Sequence, residues 1–395
     1  MIGHGMRRGL GWPLAAAVAA TMVLAVAGDA GAATSRAESK ATAAAGTTRA
    51  DVRQAMRRLR ALGVPSVRTL VVRPGARERY AQGPRRLGRP GRARIGDVMR
   101  VGSVTKMMTA TLIMQLAQEG RLQLDEPVER VLPGVVPGGE HITIAQLLGM
   151  RSGLYSYNRS PVFAEQAGRD RDRVWTPPEL LAFAFAEPPD FPPGERFEYS
   201  NTNTIVLGLV IEALTGRPYH EAVQERIAAP LGLRRTAIGM DATLPRPHVD
   251  GYVFEGGRRV NATSWTPTWG WAAGGAYSTP PEIGRFVRAL MAGRLVEPGA
   301  VATMVDRASD FAHPGFPPMR YGLAVNWVKT RCGWMYGHGG EISGYRTWAL
   351  ADRRGRRSVV ISAAVGSTPQ EDLAPVVERR LTPLLHAAAC RAFGR

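Results

Sequence analysis

The chain has 395 residues, of which 45% are apolar and 21% charged. This composition supports a sizeable core in one large or two closely joined domains and excludes disorder throughout. Two cysteines exclude a disulfide-dense small scaffold, and the formal charge of +18 raises the question of an anionic partner.

Arg7 and Arg8 precede an apolar run from Trp12 to Ala27, and Ala30-Gly31-Ala32 is a small-residue cleavage site. Residues 1–32 are therefore read as a secretory signal. Gly28 and Asp29 end the run too early for a stable membrane span. The Ala-, Ser- and Thr-rich stretch 33–48 is a disordered tether. The mature chain is expected to be secreted, facing the cell wall or the medium. In that oxidising setting Cys332 and Cys390 are expected to form a disulfide.

Val52, Met56, Leu59 and Leu62 recur at helical spacing until Gly63 and Pro65 stop the pattern. Ser66–Val72 reads as a strand and Pro74-Gly75 as a turn. The arginines are densest from Arg77 to Arg100, but Gly and Pro break the stretch and it carries one aromatic, Tyr80. A nucleic-acid groove would interleave more aromatics, so no nucleic-acid partner is expected. The stretch reads as a solvated basic face, with an anionic cell-wall polymer as the alternative occupant.

From Ser103 the pattern becomes helical, with Met108, Leu112 and Leu116 on one face and Gly120 as the stop. Further helices are predicted near Ile144–Met150, Pro178–Ala186, Asn203–Leu214 and Tyr219–Leu231. Strands return at Tyr321–Val328, Arg346–Ala351 and Ser358–Ala364. An amphipathic helix through Leu373, Leu381 and Leu385 closes the chain. Strands at both ends and helices between predict an α/β (α+β) fold. Its sheet domain is discontinuous, 49–102 with 255–395, is covered by the terminal helices, and hosts an inserted helical domain, 103–254. The site is expected in the cleft between them.

The sequence contains no G-x-S-x-G elbow and no H-E-x-x-H. Seven histidines and two cysteines show no metal-ligand spacing, so no metal or cofactor is expected. What remains is Ser103-Val104-Thr105-Lys106 at a helix start. Residues i and i+3 share a helix face, so the lysine amine can reach the hydroxyl. A neutral amine can take its proton and leave a nucleophile, a task closed to arginine. Only three cations in this arginine-rich chain are lysine, and Lys106 is one of them.

Two further elements carry chemistry. In Tyr199-Ser200-Asn201, a phenol whose pKa is lowered by neighbouring cations can shuttle a proton, and an amide can hold a substrate carbonyl. In His338-Gly339-Gly340-Glu341, glycines admit close backbone approach and the histidine can donate to Tyr199 or to substrate. Each has an ordinary alternative when taken alone: a buried tyrosine with an Asn turn, and a glycine-rich hairpin with a surface histidine.

Together, in this order, the three elements resemble the serine β-lactamase and penicillin-binding protein superfamily. The similarity is to its class C β-lactamase-like branch, which includes secreted serine D-Ala-D-Ala carboxypeptidases. It spans roughly residues 50–392 and includes Arg151-Ser152-Gly153-Leu154-Tyr155-Ser156-Tyr157 and the Cys332/Cys390 pair. The resemblance implies that Ser103 is acylated, that Lys106 and Tyr199 move protons, and that Asn201 binds the substrate amide. It places His338 on the strand lining the cleft and makes an oxyanion hole from the Ser103 and Glu341 backbone N–H groups. Trp269, beside Trp265 and Trp271, resembles an active-site wall, with core packing as the alternative.

One departure stands out. The family's third motif reads Lys/His-Thr/Ser-Gly, and its hydroxyl helps to bind a substrate carboxylate. Here Gly339 replaces the hydroxyl and an acid, Glu341, follows. The leading expectation is a D-alanyl-D-alanine carboxypeptidase-type peptidase. An esterase, a D-amino-acid amidase or a β-lactamase of the same branch is the rival, and an inactive wall-binding relative is a further alternative. The expected partners are a small peptide, amide or ester and a β-lactam.

Overall fold

The computed structural model describes residues 46–311, 318–366 and 374–395. The signal and most of the tether lie outside them. Helix α1 (Arg49–Ala61) starts at Thr48, whose hydroxyl caps Asp51 N–H while the Asp51 carboxylate returns to Thr48. It buries Val52, Met56 and Leu59, and the positive φ of Gly63 turns the chain out of it.

Strands β1 (Val67–Arg73) and β2 (Ala76–Gln82) form the predicted hairpin. After β3 (Met99–Arg100) comes a helical stretch. It contains α2 (Thr105–Gln118), α3 (Ile144–Leu148), α4 (Pro161–Arg169), α5 (Pro177–Phe185), α6 (Asn201–Thr215), α7 (Tyr219–Val223) and α8 (Ala229–Leu231). The predicted helix Tyr219–Leu231 is broken by a π turn at Gln224–Ala228. Pro230 has no N–H to give the Arg226 carbonyl, which faces Gln115 Nε2 at 3.5 Å instead.

The return contains β4 (Ala237–Ile238), β5 (Tyr252–Glu255), β6 (Arg258–Asn261), α9 (Trp271–Gly274), β7 (Ala276–Ser278), α10 (Pro280–Met291) and α11 (Pro298–Asp306). It ends with β8 (Ser309–Phe311), β9 (Met319–Tyr321), β10 (Asn326–Thr330), β11 (Gly333–Ile342), β12 (Tyr345–Ala351), β13 (Ser358–Ala363) and α12 (Ala374–Phe393). The main sheet is antiparallel with order β2-β1-β13-β12-β11-β10-β9-β8, so both chain ends build it as expected. Its strands alternate faces: Val67, Val71, Val359 and Ile361 pack against α1 and α12, while Leu70 and Val360 join the core shared with α10 and the helical stretch.

The sequence predicts neither α10 nor α11, although Thr279 followed by two prolines is a helix-start signal. The predicted strand Tyr321–Val328 is in fact two. The Cβ direction of Gly322 is filled by the Met304 carbonyl, Ala324 takes a positive φ, and Gly322 N–H closes a turn on the Val325 carbonyl at 2.8 Å. The strand β11, which carries His338, was read only as a family position.

Cys332 and Cys390 form a disulfide between the β10–β11 turn and α12, across a sequence separation of 58. The second tie between the ends is ionic. The Glu78 carboxylate, 3% exposed, receives Arg391 and Tyr80, with Arg49 at 3.6 Å. Burial alone would raise its pKa, but the Arg391 and Tyr80 hydrogen bonds and the arginine charges hold it at about 2. A depressed carboxylate contributes stability that is present above its unfolded pKa and lost as pH falls through the folded one. Glu78→Gln is expected to cost on the order of 3 kcal/mol at neutral pH and to flatten the loss of melting temperature between about pH 4.5 and 2, as read by calorimetry.

Candidate active site

Ser103 lies in a 3₁₀ turn, Gly102–Val104, that feeds directly into α2. The turn is pinned from below: Val101 N–H donates to the Ala276 carbonyl at 3.0 Å, and Thr105 Oγ1 donates to the Gly102 carbonyl at 2.7 Å while accepting Ala276 N–H at 3.1 Å. Gly102 has φ +55°, and a Cβ there would sit 2.6 Å from the Glu341 nitrogen. A Cβ on Gly340 would collide with the Val101 carbonyl. Both glycines are therefore required for β11 to pass close to the nucleophile, and the pass brings the Glu341 backbone N–H beside Ser103.

Lys106 is completely buried. Its Nζ lies 3.1 Å from Ser103 Oγ, 2.6 Å from Asn201 Oδ1 and 2.8 Å from the Ala273 carbonyl. None of these neighbours is ionised, and burial holds the amine pKa well below the ordinary lysine value. A neutral amine has two N–H donors and one lone pair. Asn201 and Ala273 take the donors, which leaves the lone pair for the Ser103 hydroxyl proton.

Tyr199 hydrogen-bonds Ser103 and presents its ring to Lys106 Nζ at 4.9 Å. Burial raises its pKa above the usual phenol, and the Ser103 bond only partly opposes this. The sequence reading of a phenol acidified by cations is thus corrected: with a neutral lysine beside it, Tyr199 keeps its proton. Asn201 uses its Nδ2 on Asn158 Oδ1 at 2.9 Å, and Asn158 in turn accepts from Ser156 Oγ. Asn201 therefore orients Lys106, and the adjoining Asn158 is a site residue that the sequence reading missed.

His338 is 2% exposed. Its Nδ1 donates to the Gly339 carbonyl, and its Nε2 stands 3.3 Å from the Tyr321 hydroxyl. Burial pushes its pKa down to about 3, and protonation of Lys106 would push in the same direction, so it is neutral. It does not donate to Tyr199. The Tyr321 ring packs edge-on against both Tyr199 and His338, whose own rings lie 6.3 Å apart, so the three form a compact cluster.

Two cavities open from Ser103. The first, about 380 Å³, is lined by Phe163, Trp175, Trp265, Trp269 and Tyr157 among others. Trp269 is thus a cavity wall, whereas Trp271 packs on Tyr219 in the core. Arg100, three residues before Ser103 and buried, holds this wall by donating to the Ala242, Thr263 and Trp265 carbonyls. At the rim Arg171 stacks over Trp265 at 4.0 Å and pairs with Glu255 at 2.8 Å. The second cavity, about 280 Å³, is lined by Tyr199, Asn326, His338, Glu341, Arg346 and Trp348 together with Ser103. A Cβ on Gly339 would lie 2.8 Å from the Trp348 ring, so the tryptophan occupies the space a Thr or Ser side chain would need.

Among the described residues no cluster of metal-ligating side chains is present, and no helix is long and apolar enough to cross a membrane.

The family described as Beta-lactamase matches residues 49–380. A D-stereospecific amidohydrolase from Streptomyces sp. is 37% identical, superposes with a TM-score of 0.74, and the match covers 80% of this chain and 94% of that one. Penicillin-binding protein 4 of Amycolatopsis lactamdurans is 34% identical over 35% of this chain and 36% of its own length. Esterase EstB of Burkholderia gladioli is 36% identical over 46% of this chain and 48% of its own. The chain thus spans between a third and about half of the length of these curated relatives.

Lys106→Arg is expected to lower acylation at least ~10³-fold, because a guanidinium cannot take the serine proton. The acid limb of kcat/KM should report Lys106: activity rises as pH climbs through its lowered pKa. His338, neutral across that range, sets no part of the limb. His338→Gln should change the rate but leave the midpoint of the limb in place in a pH–rate titration.

Proposed function

The chain belongs to the Beta-lactamase family, and from that premise we propose that it hydrolyses D-amino-acid amides and related neutral esters with a bulky, aromatic acyl side chain, through an acyl-Ser103 intermediate. The observation that carries this reading is the 380 Å³ aromatic-walled cavity opening at Ser103. A D-alanyl methyl would leave most of that cavity empty, whereas a benzyl or indole group would bury its full apolar surface there. This is why the amidase rival is preferred to the D-Ala-D-Ala carboxypeptidase expected from the sequence. The D configuration is taken from the Streptomyces amidohydrolase that the chain resembles.

In this reading the Ser103 oxygen attacks the substrate carbonyl while its proton passes to the Lys106 lone pair. The Ser103 and Glu341 N–H groups hold the oxyanion. Tyr199 gives its proton to the leaving nitrogen and is reprotonated from Lys106, so the C–N bond breaks as an amine departs. Water then attacks the ester by the same relay in reverse, releasing the acid and restoring Ser103. We also propose that the protein works outside the cytoplasmic membrane, a reading supported by the Cys332–Cys390 bridge.

The test is turnover of D-phenylalaninamide, D-alaninamide and the p-nitrophenyl ester of phenylacetic acid by the wild-type protein and Ser103→Ala. Ser103-dependent release, with kcat/KM at least tenfold higher for the phenylalanyl than for the alanyl amide, is expected. Trp269→Ala should erase most of that preference through KM. Equal turnover of the two amides removes the aromatic assignment, and turnover unaffected by Ser103→Ala removes the mechanism.

A further inference from the structure

The second cavity at Ser103 lies apart from the aromatic one, and in the proposed reaction it receives the departing group. Among the described residues that line it, Arg346 is the one permanent cation, since His338 is neutral. Arg346 is 2% exposed and faces Glu341 directly across the β11–β12 ladder, where the guanidinium bonds the carboxylate. Glu341 is a third exposed and lines both cavities.

A buried guanidinium beside a leaving-group cavity is a ready partner for a carboxylate. Here the carboxylate is supplied by the chain itself. We infer that Glu341 is a specificity-determining residue: it occupies Arg346 in place of a substrate carboxylate and restricts the departing group to neutral amines and alcohols.

Three observations support this assignment. The Arg346 guanidinium already bonds the Glu341 carboxylate, so an anionic leaving group would meet that carboxylate in competing for Arg346. Trp348 fills the space over Gly339 where a hydroxyl side chain could have assisted an anion. The Asn326 amide oxygen, buried in the wall of the same cavity and without a hydrogen-bond partner among the described residues, is an acceptor available to the N–H of a departing amine.

This inference rests on the acyl-enzyme reading for the identity of the departing side, but its test does not need turnover. In full-length protein carrying Ser103→Ala, the dissociation constants of D-phenylalanyl-D-alanine and of its C-terminal amide are measured by calorimetry, alone and with Glu341→Gln, Glu341→Thr or Glu341→Asp. The parent is expected to prefer the amide. Glu341→Gln and Glu341→Thr should each shift the acid-to-amide ratio toward the acid at least tenfold, and Arg346→Gln added to either should cancel the shift. Glu341→Asp, which keeps the charge, should hold the parental ratio. A ratio unchanged in both neutral variants, or a shift that survives Arg346→Gln, overturns the inference. Failure of the acyl-enzyme reading shows separately, as loss of Ser103-dependent turnover in the protein with Ser103 intact.

Discussion

A lysine amine with no exposed surface and no carboxylate among its described hydrogen-bond partners would be very costly to keep charged. Burial accordingly lowers the Lys106 pKa well below the ordinary lysine value and favours the neutral amine, the form its surroundings suit. Its three neighbours match one lone pair and two N–H donors. Asn201 is turned by Asn158, which is held by Ser156, so the Asn201 oxygen faces the amine. The Ala273 carbonyl comes from the short helix α9, beside the cavity wall. The Tyr199 phenol keeps its proton because burial raises its pKa. In the proposed reaction, proton transfer would then occur beside a buried amine, where the developing oxyanion would interact strongly with backbone dipoles.

The contact between Ser103 and Lys106 was legible because their relation is local: residues i and i+3 on a new helix turn must meet, whatever the rest of the chain does. The two-ended sheet was legible for a similar reason, since apolar strands gathered at both termini have few other partners. Arg346, Tyr321 and Arg100 were not legible. Arg346 reaches the site through a cross-strand register, Tyr321 from β9, two strands from β11 across β10, and Arg100 through carbonyls more than a hundred residues away. The neutrality of His338 was also hidden, because it follows from burial and not from residue type. The departure at Gly339 was visible as a missing hydroxyl, but its reason, the Trp348 ring, lies on the neighbouring strand.

In the proposed reaction the two cavities would divide recognition by physical kind. The aromatic one would select by shape and apolar surface, and its wall is fixed by a buried guanidinium on backbone carbonyls. The other would select by charge, through an ion pair internal to the sheet. Arg100 and Arg346 thus do different work with the same group: one spends its donors on holding a loop, the other on holding a carboxylate. Glu341 joins the two, since its backbone serves the reacting carbonyl while its side chain faces Arg346.

The ends of the described chain lie side by side. Arg391 donates to the Thr47 carbonyl at 3.1 Å, and the backbone of Arg395 approaches Gly46. In topological terms the described chain from residue 46 to 395 nearly closes on itself. A short bridge from residue 395 to 46, with new ends opened in the exposed Arg86–Gly91 turn, would preserve every strand pairing of the main sheet and the helix that starts at Ser103. Such a circular permutant would place its free ends outside the lining of both cavities at Ser103, leaving residues 46 and 395 joined where the two terminal helices already meet.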